Sequence, residues 1–539
     1  MICGINTWKK SVSAMLLCVL MVVGCQNKDI SKDEEKSITV AISSETGTLD
    51  PAGMVALTYL AYSSQALDEL LTYDEDGEII YRAAHSYEVN KELTDWTFHL
   101  RKEALWSDGT SVTAGDFLNT MIRALDPKGG NGYANYLFPI KNAEAIYQGE
   151  ADISTLGVEA IDDYTLRIEL ESPCVYFLDL LRLPVYTPSC KKYAKEIESG
   201  WDKNPKKSVA NGPFYLEEYV PEQYFVLRKN PKYWNKKEIY LDKITYRFFD
   251  DAQSMANAYE AGEVDVATGL PSSVMILYEK KEDLVIADTI TTRYIYPNLS
   301  VKPLDDVRVR KAMNLAINRK DLCKIVGEDT VPTMNLVAKA MKDKHTGEYF
   351  VDGDVAPFEE NVEEAKKLLA EAGYPNGKGF PVLVYKYPSL EMDSDTAQVL
   401  KEQLKKNLNI TIELKAQDLQ SNYATRHLGE FDLCRMNWTA DFADPYTYLS
   451  MLLSNSTYNC SGIKDEIYDD IVARSDVTLD QVKRNDLLHQ AEQRAVGEKF
   501  YIIPLFGMKS CNLICPKITG IGQIPATGAL EYRSADIKE

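Results

Sequence analysis

Thr396-Ala-Gln-Val-Leu-Lys-Glu-Gln-Leu-Lys-Lys-Asn407, followed by Ile410-Thr-Ile-Glu-Leu414, decides the fold class of this chain. The first stretch is a basic amphipathic helix. The second is rich in β-branched residues and reads as a strand. Working outward, the same alternation recurs. Asn361 with Glu364 makes a capping box for Ala365–Ala372, and Gly373 ends that helix. Asp306 caps Val307–Ile317, and Asn318 opens a second helix with Asp321 at its third position. Toward the N-terminus, Ile244–Phe249 reads as a strand, and Glu169–Phe177 as extended chain until Pro173. Trp96–Arg101 is a half-buried strand. Trp106-Ser-Asp-Gly-Thr110 is a turn, and Thr113 caps a helix with Asp116 at its third position. Ile38-Thr-Val-Ala-Ile42 is a first buried strand, with a turn at Gly47–Pro51 after it. Strands alternating with helices predict α/β lobes. A chain of 539 residues exceeds one core, so two or three lobes are expected. With no long Gly/Ser/Pro linker after residue 37 and no internal repeat, they are joined by short crossings.

The composition, 45% hydrophobic and 26% charged, is that of a globular chain. A net charge of -21 disfavours nucleic acid and anionic lipid head groups as partners. Lys9 and Lys10 precede a short apolar run that ends Val22-Val-Gly-Cys25, after which residues 26–36 are highly charged. The run is too short to span a bilayer and reads as a secretory signal, residues 1–24. Small residues followed by Cys25 at this polarity switch resemble the lipobox of bacterial lipoproteins. That resemblance implies lipidation of Cys25 and a tether over 25–37. The alternative is an ordinary signal peptide with an incidental Cys. Cys174, Cys190, Cys323, Cys434, Cys460, Cys511 and Cys515 match no zinc or CxxC spacing and are expected mostly as free, buried thiols.

The five histidines form no HExxH pair, and no GxSxG elbow or GxxxxGK[ST] loop occurs. Gly520-Ile-Gly522 meets Pro525 where a dinucleotide loop needs glycine. Neither a metal nor another cofactor is expected, and the odds move from catalysis to binding. The 33 Tyr and 6 Trp offer apolar faces with hydrogen-bonding tips, suited to a wet cleft, although most serve an ordinary core.

Nine segments carry a resemblance. They are Thr48-Leu-Asp-Pro51, Trp96–Arg101, Trp106-Ser-Asp-Gly109, Thr113-Ala-x-Asp116, Asn211-Gly-Pro-Phe-Tyr215, Lys229-Asn-Pro-x-Tyr-Trp234, Gly262-Glu-Val-Asp265, Asp306-Val-Arg-Val-Arg310-x-Ala and Trp438-Thr-Ala-Asp-Phe442-x-Asp-Pro445. Read together and in order, they resemble the oligopeptide- and dipeptide-binding receptors of ABC importers. The resemblance implies a three-domain periplasmic-binding-protein-like fold whose two lobes close around a cleft. Domain I would combine 38–67, 190–290 and 509–539. Domain II would be 68–189, and domain III 291–508. It further implies short peptides as ligands, the permease subunits of the importer as partners, and a monomer. The location implied is the extracytoplasmic face of a membrane, held by the lipid anchor, as on a Gram-positive cell surface.

What all peptides share is a main chain and terminal charges. Main-chain groups can be met by strand-like pairing, and a buried ammonium requires a carboxylate. The resemblance assigns that role to Asp441. The alternative for Asp441 is a turn cap before Pro445, a place that Asp444 fits better. It makes Tyr133 a pocket residue, Trp438 an aromatic wall, Arg426 part of a side-chain pocket and Arg435 a holder of a short peptide's carboxylate. For these four the alternative is an ordinary core aromatic or a solvated arginine. The chain departs from the family pattern at Leu419 for Trp, Asp393 for His, Val55 for an acidic residue and Thr439 for Cys. The last departure removes a family disulfide. The same fold could hold a nickel chelate, haem, a sugar or a signalling peptide instead. A secreted hydrolase or a chaperone-like surface protein is the reading from another class.

Overall fold

The computed structural model describes residues 35–538 apart from 44–46, 54–57, 75–77, 130–131, 196–199, 279–280, 343–346, 353–359 and 524–528. The signal segment, Cys25 and Val55 therefore lie outside the described residues.

In chain order the first strands are β1 (Ser37–Ile42), β2 (Leu71–Tyr73), β3 (Ile79–Tyr81), β4 (Ala84–Val89), β5 (Asp95–Leu100), β6 (Val158–Asp162) and β7 (Thr165–Glu169). Then come β8 (Phe214–Val220), β9 (Tyr224–Lys229), β10 (Lys243–Phe248), β11 (Val266–Ala267) and β12 (Leu284–Pro297). The later ones are β13 (Thr330–Pro332), β14 (Leu383–Pro388), β15 (Ile412–Gln417), β16 (Leu433–Thr439) and β17 (Ile503–Ile514). One mixed sheet runs β15-β14-β16-β12-β17-β11-β1-β10-β9-β8, with β13 on β17. A separate antiparallel sheet runs β4-β5-β7-β6.

The large sheet has two halves joined by its two longest strands. β12 has 14 residues and β17 has 12. They pair antiparallel, with register shifts between Asp288 and Thr292 and again between Arg293 and Tyr294. A shift of this kind bends and twists a ladder locally. On one side, β1 pairs parallel with β10 and β11, so its Ile38, Val40, Ala41 and Ile42 are all buried. On the other, Leu383, Tyr385, Leu400, Leu404 and Leu433 share one core with Val309 and Met313. A third core gathers Tyr294, Tyr296, Met436, Tyr448 and Tyr468.

The local signals hold. Asp306 accepts from the Arg308 N–H at 2.8 Å, Asn318 from Asp321 at 2.8 Å and Asn361 from Glu364 at 3.0 Å. Thr113 donates both its N–H and its hydroxyl to Asp116, at 2.9 and 3.0 Å. Gly373 adopts φ +99, open to glycine without strain. Two expectations need correction. The helix of the opening stretch spans Glu391–Leu408, and the strand begins at Ile412, because Asn409 caps the helix in the left-handed region at φ 55. Glu169–Phe177 is not extended. The strand ends at Glu169, and beyond Pro173 the chain turns into a short helix, Phe177–Leu180. All seven cysteines named above are free thiols.

Candidate ligand-binding site

The site is built where β16 leaves its neighbour. β14 pairs with β16 only at Leu433 and Cys434. β12 follows β16 on the other edge for its whole length, from Pro297↔Leu433 to Thr291↔Thr439. Residues 435–439 therefore carry one edge that meets no strand among the described residues. Alternation along β16 sends Arg435, Asn437 and Thr439 to one face and Met436 and Trp438 to the other.

Just past this edge stands Asp441. Its half-buried carboxylate accepts from the Tyr133 hydroxyl at 3.4 Å and from the Tyr136 hydroxyl in a short contact. Among the described residues no cation pairs with it. Burial pushes its carboxyl up to about 6, against the opposing effect of the two tyrosines. Tyr133 and Tyr136 are pushed above the ordinary phenol range, first by burial and then by the Asp441 charge, so both remain donors. Asp444 takes the turn, as read from the sequence. Its carboxylate accepts from the Tyr446 N–H at 2.9 Å and is gripped by Arg484 at 2.8 and 2.9 Å.

Trp438 turns its edge to Tyr458 at 4.8 Å between centroids and donates to the Thr447 hydroxyl at 3.3 Å. Thr439 bonds Thr291 across the strands at 2.8 Å. Neither arginine is solvated. Arg426 is buried, lies 4.2 Å over the Tyr423 ring and donates toward the Met436 sulfur. Arg435 donates to Asp393 at 2.8 Å and to Asn437 at 2.6 Å. Leu419 is 48% exposed at the start of the helix Leu419–His427, two turns before Arg426.

The sequence reading missed several residues. Tyr136 follows Tyr133 by three positions in a single 3₁₀ turn, so helical spacing could have flagged it. Tyr176 stacks on Phe442 at 5.0 Å and on Tyr446 at 5.1 Å, and donates to Asp476 at 2.6 Å. Tyr133, Tyr136 and Tyr176 come from the segment bearing the four-stranded sheet, and Asp441, Phe442, Tyr446 and Asp476 from the half around β16. The two parts thus meet at Asp441.

A mixed α/β sheet with two strands crossing between lobes, and a carboxylate where the lobes meet that no cation pairs among the described residues, are the marks of a two-lobed receptor. Residues 78–460 match the family described as bacterial extracellular solute-binding proteins, family 5 Middle. The chain belongs to that family. Its members are substrate-binding proteins for transport, so this is a binding protein and not an enzyme. The chain is 31% identical over 535 residues to the periplasmic oligopeptide-binding protein OppA of Escherichia coli, covering 96% of each. It is 32% identical over 482 residues to a probable deoxycholate-binding periplasmic protein, YgiS, of the same organism, covering 88% of this chain and 89% of the relative. Among solved structures, Haemophilus influenzae OppA in complex with RPPGFSPFR aligns with a TM-score of 0.78 at 28% identity, over 94% of this chain and all of that one. No helix of the described residues is long and apolar enough to cross a membrane.

Proposed function

We propose that the chain captures short peptides by their main chain and terminal charges and delivers them to the permease subunits of an ABC importer. One observation carries this: Asp441 is a half-buried carboxylate met by two neutral hydroxyls and, among the described residues, by no cation. A buried carboxylate lacking a counter-charge is costly, and a ligand ammonium removes that cost. The free edge of β16 beside it supplies N–H and C=O groups that pair with any peptide backbone. Trp438 and Tyr133 give the pocket its aromatic surfaces, and Arg426, Leu419, Thr439 and Val55 set side-chain preference.

In this reading residues 1–24 direct export, and lipidated Cys25 with the tether to 37 holds the receptor as a monomer at the extracytoplasmic face, as on a Gram-positive surface. Domains I, II and III follow the boundaries read from the sequence. The boundary at 290/291 is supported by the register shift of β12 between Asp288 and Thr292.

Mass spectrometry of the ligand released from the purified protein tests the proposal. Peptides with free amino termini are expected, and a sugar, haem or nickel chelate overturns it. The likeness to YgiS favours one second reading, an anionic steroid. Its carboxylate would be repelled by Asp441, and the same spectrum separates the two.

A further inference from the structure

Arg293 lies on β12 opposite Asn437, on the face of the sheet that also carries Arg435. Both guanidinium groups bind the same carboxylate oxygen, Oδ1 of Asp393. Arg435 does so at 2.8 Å and Arg293 in a short contact. Asp393 enters from the first turn of the helix Glu391–Leu408 and is 1% exposed, while the Arg293 and Arg435 side chains keep 14% and 12% exposure.

The group is incompletely satisfied. Among the described residues, Nε and Nη2 of Arg293 and Nη2 of Arg435 have no acceptor. Asp393 Oδ2 and the Tyr385 hydroxyl are buried without a hydrogen-bond partner. Buried polar atoms of this kind normally have partners. Two guanidinium groups and one carboxylate leave a net charge of about +1 in a half-dry place. Burial, and then the Arg435 charge, lower Arg293 to about 10, so it remains a cation at neutral pH while its environment favours an added anion.

We propose that Arg293 and Arg435, bridged by Asp393, form one seat for a ligand carboxylate, and that Arg293 thereby sets the length or sequence of the peptide accepted. This rests on the peptide-receptor reading and deepens it. One carboxylate in the seat completes a neutral set of two guanidinium and two carboxylate groups, each arginine donating in the forked geometry that suits such pairs. Without Arg293, Arg435 would be neutralised by Asp393 alone and would hold a ligand anion weakly.

The seat also fixes a distance. From Thr439, next to the ammonium partner, back to Arg435 is four strand steps, about 13 Å. An extended peptide of three to four residues covers about 10–14 Å. The carboxylate therefore belongs to the third or fourth residue. It is the C-terminus of a tri- or tetrapeptide, or the side chain of Asp or Glu at the third or fourth position of a longer peptide.

Native mass spectrometry of the full chain with random tripeptide and tetrapeptide libraries, each with free or amidated C-termini, tests this. Free peptides are expected to be captured at least tenfold in excess over amidated ones of the same length, in the tripeptide library, the tetrapeptide library or both. Captured amidated tetrapeptides should be enriched in Asp or Glu at the third or fourth position if the side-chain source serves, and not enriched if only the C-terminus does. In R293Q both preferences should collapse while capture of free-amino peptides persists. R293K, which keeps the charge and loses the fork, should retain part of the preference, and thermal melting of both variants checks that they fold. Equal capture of free and amidated peptides of both lengths by the native protein, or an unchanged ratio in folded R293Q, overturns the seat and leaves the receptor reading intact. Capture of no peptide from any library overturns the reading on which the seat rests.

Discussion

At the scale of single residues, the proposed function turns on Asp441. Its carboxyl is held near 6 by burial, and a bound ammonium favours the ionised form. Peptide affinity is therefore expected to be flat above about pH 7. It should fall about tenfold per unit on descending well below 6, where binding must expel a proton. Calorimetry across pH 5–8 checks this, and affinity rising toward acid pH contradicts it. The sign for the unliganded protein is opposite. A folded-state pKa raised above the unfolded value adds stability at low pH that is lost as pH rises through about 6. Ligand should then raise the melting temperature more at pH 8 than at pH 5. Asp441 was legible because it sits in a recognisable segment, Trp438–Phe442. Its donors and the bridged arginines were less so. Tyr136 and Asp441 are 305 positions apart, and Arg293 and Asp393 are 100 apart. Spacing along a chain is silent about such pairs. Asp393 stood out only as a departure from the family pattern, and its work, holding two arginines, needed the fold.

At the scale of elements, most of the ordered motifs that revealed the family are scaffold. Asn211 exchanges hydrogen bonds of 2.9 Å with the backbone N–H and C=O of Asp68, and Asn230 donates to the Gly212 carbonyl at 2.9 Å. Gly212 is required because a Cβ there would stand 2.7 Å from the Ala66 carbonyl carbon and 2.9 Å from the Leu67 nitrogen. Gly212→Ala should destabilise by about 1–3 kcal/mol, read as a lower denaturant midpoint. Arg310 is buried with its guanidinium on the carbonyls of Leu304, Lys499 and Phe500. The loop after β16 is pinned by Asp444 and Arg484, both buried. Arg484→Met should cost about 3–5 kcal/mol, because it strands the Asp444 charge. Asp444→Asn with Arg484→Met should cost less than the sum of the two, and strict additivity in urea unfolding contradicts the pairing. The helix caps were readable in advance because Asp306, Asn318 and Asn361 act within three residues of themselves. The extended run predicted after Glu169 was not, since Pro173 permits either a strand end or a turn and the packing of Phe177 decides between them.

At the scale of the whole molecule, the lobes meet through aromatic contacts around the site. Tyr176 is stacked on Phe442 and Tyr446 and bonded to Asp476, while Tyr133 and Tyr136 hold Asp441. Under the proposed function, binding and closure would be coupled at the same residues, since the ligand ammonium and the tyrosines of the other lobe would share one carboxylate. Tyr176→Phe keeps the stack and removes one hydrogen bond across the lobes. It should weaken peptide binding roughly two- to tenfold, as expected for about 0.5–1.5 kcal/mol, and enlarge the unliganded protein in X-ray scattering. Unchanged affinity and dimensions would remove Tyr176 from closure. The alternation of helices and strands made the α/β class legible from sequence. The way β12 and β17 join two half-sheets was not, because antiparallel partners 208 to 229 residues apart leave no local trace.

The central claim is that Asp441 receives a peptide's amino terminus. Calorimetry with one library of tri- to pentapeptides, free and N-acetylated, tests it most directly. The free library should bind tightly, and acetylation and Asp441→Ala should each cost about 2–5 kcal/mol, a loss of roughly thirtyfold or more. Equal binding of free and acetylated peptides to the native protein would contradict it.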